Sequence, residues 1–275
     1  MTTTVISAAP TRGGYGGVLR SEWTKIRSVR STYWSLAAAI FFSVGFAALT
    51  SAITAHHYEK YSGAELHRQV VQDSFDAVAQ SLSGVALGQL ALGVLGALVI
   101  SSEYRNRMIR TTLTAVPRRG RIMLAKLAVF GAVAVLVGEI ITFLSFFIGM
   151  AFYKGPGLNV ALSDPGVLRA IVATGLYMAL AGVMGLGLGL VIRHGAGAIT
   201  AIIGFLLVVP ALASALPNPW DDRIGKMLPL QIGQQAATTT QLHDFLNPWV
   251  GLLVLAIYAA VAVAVGGWLL RTRDA

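Results

Sequence analysis

Ser102 to Lys126 reads SEYRNRMIRTTLTAVPRRGRIMLAK. The stretch lies between two long apolar runs and sets Arg105, Arg107, Arg110, Arg118, Arg119, Arg121 and Lys126 against one acid, Glu103. A basic loop of this kind between two membrane spans stays on the cytoplasmic side, because moving it across the bilayer is strongly disfavoured. Tyr104 to Leu113 has room for about two and a half helical turns, and Pro117 separates that short helix from the run that follows. A short helix hung beneath a membrane domain is a handle that a cytoplasmic partner can push.

Composition supports the membrane reading. Of 275 residues, 55% are hydrophobic and only 12% charged, and the mean hydropathy is +0.69. A soluble domain carries about twice that charged fraction. The apolar residues come in runs of about twenty rather than in amphipathic stripes, which defines an integral membrane protein. A net charge of +9 would suggest nucleic acid in a soluble chain. Here the basic residues flank the runs, so topology and anionic headgroups account for them and no nucleic acid is expected. With no cysteine there is no disulfide framework, Cys-based metal site or thiol nucleophile. Residues 1–32 contain no apolar core followed by a small-residue cleavage site, so no cleaved signal peptide is expected.

Taken in order, residues 1–17 read as a disordered polar tail and residues 18–32 as an amphipathic interface helix. Leu19, Trp23, Ile26, Val29 and Tyr33 share one face of that helix, with Arg20, Lys25 and Arg27 off it. It should lie in the membrane plane, Trp23 at headgroup depth and Lys25, Arg27 and Arg30 reaching phosphates. Residues 33–275 then form a six-span domain, all-α and polytopic. The spans are Tyr33–Ala55, Ser83–Ser101, Ile122–Phe152, Val167–Ile192, Ala196–Leu216 and Pro248–Leu270, each long enough to cross the ~30 Å hydrocarbon core. The N-terminus, the 102–126 stretch, Arg193 and the tail at Arg271 and Arg273 hold fifteen of the 21 Lys/Arg. Both termini are therefore expected in the cytoplasm. On the other side, 56–82 has helical potential, for example over Ala64–Val78. Pro217–Asn247 combines four nearby prolines with apolar patches and should dip part-way into the outer leaflet, buried against protein.

At this point the chain resembles a known family, the ABC-2-type permeases of ABC exporters with the type V fold. Leu19–Trp34, LRSEWTKIRSVRSTYW, looks like the interface helix of actinobacterial members. The 102–126 stretch is similar to their first cytoplasmic loop, keeping Glu103, Arg110, Leu113, Pro117, Arg119 and Lys126. One departure is that the family's Gly-Thr step falls at Arg107-Met108. The resemblance implies a cytoplasmic coupling helix between spans two and three, reaching a separate ATPase subunit through Glu103, Tyr104, Arg105, Arg107, Met108, Arg110, Thr111 and Leu113. It also implies a second permease copy or a sister permease, with the pathway lined by polar and small positions of spans one, two and five. ATP and Mg would be bound by the partner. This chain lacks G-x-x-x-x-G-K-[ST], so no catalytic residue, cofactor site or metal site is expected in it.

Glu139 is the only carboxylate well inside a span, a costly placement that points to a role. It could contact substrate, respond to protons or pair across a dimer; alternatively it bonds to a neighbouring helix, for instance through Thr142. Gly182, Gly185, Gly187 and Gly189, with Gly84 and Gly88, form small-residue faces that favour close helix packing within the subunit over a dimer or pathway lining. The reading that follows is the permease subunit of an ATP-driven exporter in a bacterial inner membrane, moving a lipophilic or amphipathic antibiotic, lipid or peptide. Two alternatives stay open: a proton-coupled secondary transporter using Glu139, and a sensory or scaffold subunit that docks an ATPase without transport.

Overall fold

A computed structural model describes residues 15–28, 30–105, 119–217, 219–240 and 245–272, and every element among them is helical. In chain order these are α1 (Tyr15–Ser28), α2 (Arg30–Tyr58), α3 (Gly63–Gln72), α4 (Ala77–Ser81), α5 (Val85–Arg105) and α6 (Arg119–Tyr153). There follow α7 (Val167–Ile192), α8 (Gly195–Ile203), α9 (Val209–Ala213), α10 (Trp220–Gly225), α11 (Pro229–Ala237) and α12 (Pro248–Thr272). Six segments are long and apolar enough to span a membrane: Thr32–Tyr58, Val85–Tyr104, Ile122–Tyr153, Val167–Ile192, Gly195–Ala213 and Pro248–Leu270. Runs of this kind must be helical in lipid, because only a helix satisfies all its backbone groups within one segment. The all-α six-span architecture read from the sequence is the one observed.

The fourth span is the axis of the bundle. Spans two, three and six pack around it, and 67% of it is buried against only 22% of the first span. Glycines make the contact possible, since a Cβ on Gly96 would lie 2.1 Å from the Gly182 carbonyl oxygen and one on Gly185 2.0 Å from that of Gly93. Gly187 meets Ala262 and Val263 of span six in the same way. The small-residue faces therefore serve packing inside the subunit. The fifth span is broken rather than uniform: α8 passes through a π-helical turn, Gly204–Val208, into α9. Pro210 explains the wider turn, because it offers no N–H and crowds the carbonyl one turn earlier.

Three expectations need correction. Tyr104 and Arg105 extend α5 and do not start a separate short helix; the remainder of that expected helix, with Arg107, Met108, Arg110, Thr111 and Leu113, lies outside the described residues. The single helix over Ala64–Val78 is two, α3 and α4, parted where Ser74 adopts φ 50° and the Asp76 carboxylate caps α4 at Val78 and Ala79. Lys25, expected to reach lipid phosphates, turns instead to Glu22 and Glu103, and the apolar stripe of α1 lies off the side that packs on protein. Trp23 is 50% exposed, whereas Val18 and Glu22 are buried. Residues 1–14 and Val29 lie outside the described residues.

Within the segment before the last span, α11 is largely buried. Pro229, Ile232, Gly233, Gln235, Ala236 and Ala237 are inaccessible, and Gly233 abuts the Tyr177 ring. Tyr177 stands ten residues, or about 15 Å, into α7, so α11 reaches deep into the bundle as a half-inserted helix. It is held by its C-terminal end. Asp76 Oδ2 accepts hydrogen bonds from the Thr239 backbone N–H (2.7 Å) and hydroxyl (2.8 Å). Arg169 Nη2 donates to the carbonyls of Thr238 (2.7 Å) and Thr239 (3.0 Å). Removing the carboxylate in Asp76→Ala strips a helix cap and leaves the Thr239 N–H and hydroxyl without their acceptor, a loss of about 2 kcal/mol. Hydrogen exchange should then quicken in α4 and α11 together; quickening in α4 alone would show that the clasp holds nothing.

Candidate functional site

The site is the basic end of the bundle, where α1, the last turn of α5 and the first turns of α6 meet. Three buried charged side chains converge there: Glu22 (2% exposed), Lys126 (6%) and Glu103 (9%). Lys126 Nζ donates to Glu22 Oε2 at 2.5 Å and Glu103 Oε1 at 2.7 Å. Lys25 Nζ, partly exposed, donates to Glu22 Oε1 at 2.6 Å and lies 3.3 Å from Glu103 Oε1. Two ammonium groups thus face two carboxylates, neutral overall and closed by mutual hydrogen bonds. That balance is what makes burying three of the four charges tolerable. Val18, Ile122 and Ala125 pack beside them as an apolar pad. The spacing of Val18, Glu22 and Lys25 turns all three to one side of α1, and the Leu19–Trp23–Ile26 stripe is left on the flank.

Burial alone would push the Glu22 carboxyl up, yet Lys126 and Lys25 outweigh it and hold the group below its ordinary 4.5. Burial would likewise lower the Lys25 ammonium, and Glu22 and Glu103 hold it above its ordinary 10.5. Glu22, a carboxylate with a lowered value, stabilises the docked α1 above pH 4.5, and that contribution is lost as pH falls through the lowered value. Lys25, a cation with a raised value, stabilises it below pH 10.5 and loses this as pH rises beyond. Protease resistance of α1 should therefore be flat between those two pH values and fall on both sides. A slope through neutral pH would mean that another group governs docking.

A second junction gathers the remaining spans. Arg193, in the turn between spans four and five, takes a left-handed conformation with φ 62°. Its guanidinium sits 5.2 Å above the Tyr104 ring centroid, and its Nη2 donates to the Leu269 carbonyl at 2.9 Å. Tyr104 adjoins Glu103, so neighbouring residues at the end of span two reach α1 and span three on one side and spans four and six on the other. Along the chain, Glu103 and Tyr104 precede the segment 106–118 and Lys126 follows it.

The structure brings Glu103 and Lys25 together and adds Glu22, which sequence reasoning missed, while Tyr104 faces Arg193. Trp23 and Arg27 are exposed, and Leu19 and Ile26 are half-buried. Arg30, at the start of α2, is exposed, and nothing is described of the Arg105 side chain. Glu139 lies elsewhere, mid-way along α6. Its carboxyl lies against Gly175, and Thr142 does not serve it: that hydroxyl donates to the backbone carbonyls of Gly138 (3.2 Å) and Glu139 (3.1 Å). Among the described residues no cluster of three His, Asp or Glu could hold a metal ion.

Six apolar helices, one of them central, with a buried charge network at the basic end, define a polytopic helical membrane protein. Residues 18–211 match the family described as ABC-2 family transporter protein, which is more than half the chain. The chain belongs to that family and is a membrane transport component. No curated protein matches the sequence.

Proposed function

We propose that the chain is the permease subunit of an ATP-driven exporter of the inner membrane, with both termini and the basic end in the cytoplasm. A separate ATPase docks on the 104–113 segment through Arg105, Arg107, Met108, Arg110, Thr111 and Leu113, and holds the ATP and Mg that this chain does not bind. The observation that supports this reading is the junction just described. Movement imposed on residues 106–118 is passed at once to α1 and span three through Glu103 and Lys126, and to spans four and six through Tyr104 and Arg193. A loop that only set topology would need no such ties.

The cargo is lipophilic or amphipathic, since the spans carry few charges. A second permease copy, or a sister subunit, completes the pathway beside span one. There an apolar groove of about 420 Å³ runs between spans one and two, lined among others by Ser35, Ala38, Phe42, Ser43, Leu87 and Leu98. Trp34, Phe41 and Phe42 stand exposed along the same span, at 77%, 71% and 63%.

The test is co-purification from native membrane with the wild type and with Arg110→Glu/Leu113→Asp. A nucleotide-binding subunit should accompany the wild type, and both it and ATPase activity should be lost with the variant. If the protein purifies alone and the variant changes nothing, the ATPase partnership is wrong. Proton transport through Glu139 then becomes the reading to pursue.

A further inference from the structure

The Glu139 carboxyl is set near mid-height of the third span, and among the described residues no cation pairs with it. It lies 17 residues from Ile122 and 14 from Tyr153 along the third span, hence more than about 20 Å of helix from either end. Its Oε2 is fully buried and has no hydrogen-bond partner among the described residues. Gly175 makes the space: a Cβ there would lie 2.5 Å from the carboxyl carbon and 2.5 Å from Oε1. Among the described residues the spans hold two Lys/Arg side chains, and neither pairs with Glu139, although Arg169 Nη1 is itself buried without a hydrogen-bond partner. Lys126 is shared by Glu22 and Glu103. Arg169, six residues before Gly175 and about 9 Å along the helix, is bonded to the Thr238 and Thr239 carbonyls.

Glu139 is also not sealed in. It is only half-buried, on the edge of a face where Val135 (37%), Leu136 (61%) and Ile140 (37%) are exposed. A carboxyl with an unmet oxygen beside an exposed apolar strip presents the two halves of one recognition chemistry. The strip suits a hydrocarbon body, and the carboxylate suits a protonated amine, a charge-assisted pair that strengthens where water is scarce.

We propose that Glu139, seated in the Gly175 notch, is the binding site for the ammonium group of an amphipathic amine that arrives along the exposed apolar face of span three. Its place in a transport cycle rests on the exporter reading above; the binding itself does not.

The experiment uses the full chain in nanodiscs of zwitterionic lipid, with 12-(dansylamino)dodecylamine, whose terminal amine stays free and protonated, and its N-acetylated, uncharged analogue as probes. The wild type should bind the amine about tenfold or more tighter than the analogue, the weight of one hydrogen-bonded charge pair. Glu139→Gln should abolish that preference, and Glu139→Asp should keep part of it. Because a variant could fold poorly, the wild type is also treated with dicyclohexylcarbodiimide, which modifies carboxyls in apolar surroundings. Glu139 should be labelled, and the amine but not its analogue should protect it. A wild type without preference for the amine, or labelling of Glu139 that the amine does not slow, overturns the site. Such a failure leaves ATPase co-purification untouched, and loss of co-purification leaves amine binding untouched.

Discussion

Lys126→Met should be among the most damaging single changes in the chain. Its ammonium is the donor common to Glu22 and Glu103, at 2.5 and 2.7 Å, and is 6% exposed. Methionine keeps most of the volume but leaves two buried carboxylates facing Lys25 alone. Breaking a buried ion pair from one side costs about 3–5 kcal/mol, because the surviving charge can be neither hydrated nor paired. Lys25→Met should cost less, since that side chain is 27% exposed and water takes its place. The decisive comparison is Lys126→Met combined with Glu22→Gln, which restores one cation to one anion. Thermal unfolding in detergent should show the double variant closer to wild type than Lys126→Met alone. If the two unfold alike, the network matters only as packing, and α1 is held by Val18, Ile122 and Ala125. Under the exporter reading the single variant should also lose coupled ATPase activity while still binding the partner, because the 106–118 segment itself is untouched.

Much of the fold was legible because lipid leaves the backbone few choices. Six apolar runs became six helices, and Pro217 to Pro248, too apolar for a solvated loop, yielded the half-inserted α11. The glycine faces of spans two and four were readable as close-packing surfaces, although Gly93 and Gly96, the residues that meet Gly185 and Gly182, were not singled out. The charge network was half legible. Glu103 and Lys126 stood out by resemblance, but Glu22 pairs with a lysine 104 positions away, and local periodicity carries no information about such a partner. On α1 the Leu19–Trp23–Ile26 stripe drew attention to the flank, while the buried side is defined by a carboxylate. One signal was available: Glu22 is the only acid in the first 58 residues, amid Arg20, Lys25, Arg27 and Arg30. Its mate had to be a buried cation, and Lys126 is the lysine nearest to the start of a span.

Gly185→Val should be as severe as the loss of Lys126, for a steric reason. The backbones of spans two and four touch at Gly93–Gly185 and Gly96–Gly182, where an added Cβ would fall 2.0 and 2.1 Å from a carbonyl oxygen. An ordinary contact needs more than an ångström beyond that, and neither atom belongs to a flexible side chain that could swing away. The spans must separate, opening the core around Leu92, Leu186, Leu190, Ile202 and Leu206, all at most 2% exposed. Overpacking costs about 1–3 kcal/mol when neighbours can yield, and more when backbone must move. The β-branch adds its own χ1 restriction. Gly45→Ala is the matched control, because nothing lies within 4 Å of a Cβ there and a mid-helix alanine is favoured by about 0.5–1 kcal/mol. Folded yield and thermal midpoint should collapse for Gly185→Val and hold or rise for Gly45→Ala. Span two also carries Glu103 and Tyr104 at its end, so forcing it off span four should shift both junctions at once. Gly185→Ala, the milder wedge, should then loosen α1 to protease even where the bundle still folds, and an α1 as resistant as wild type would show that the two ends of span two move independently.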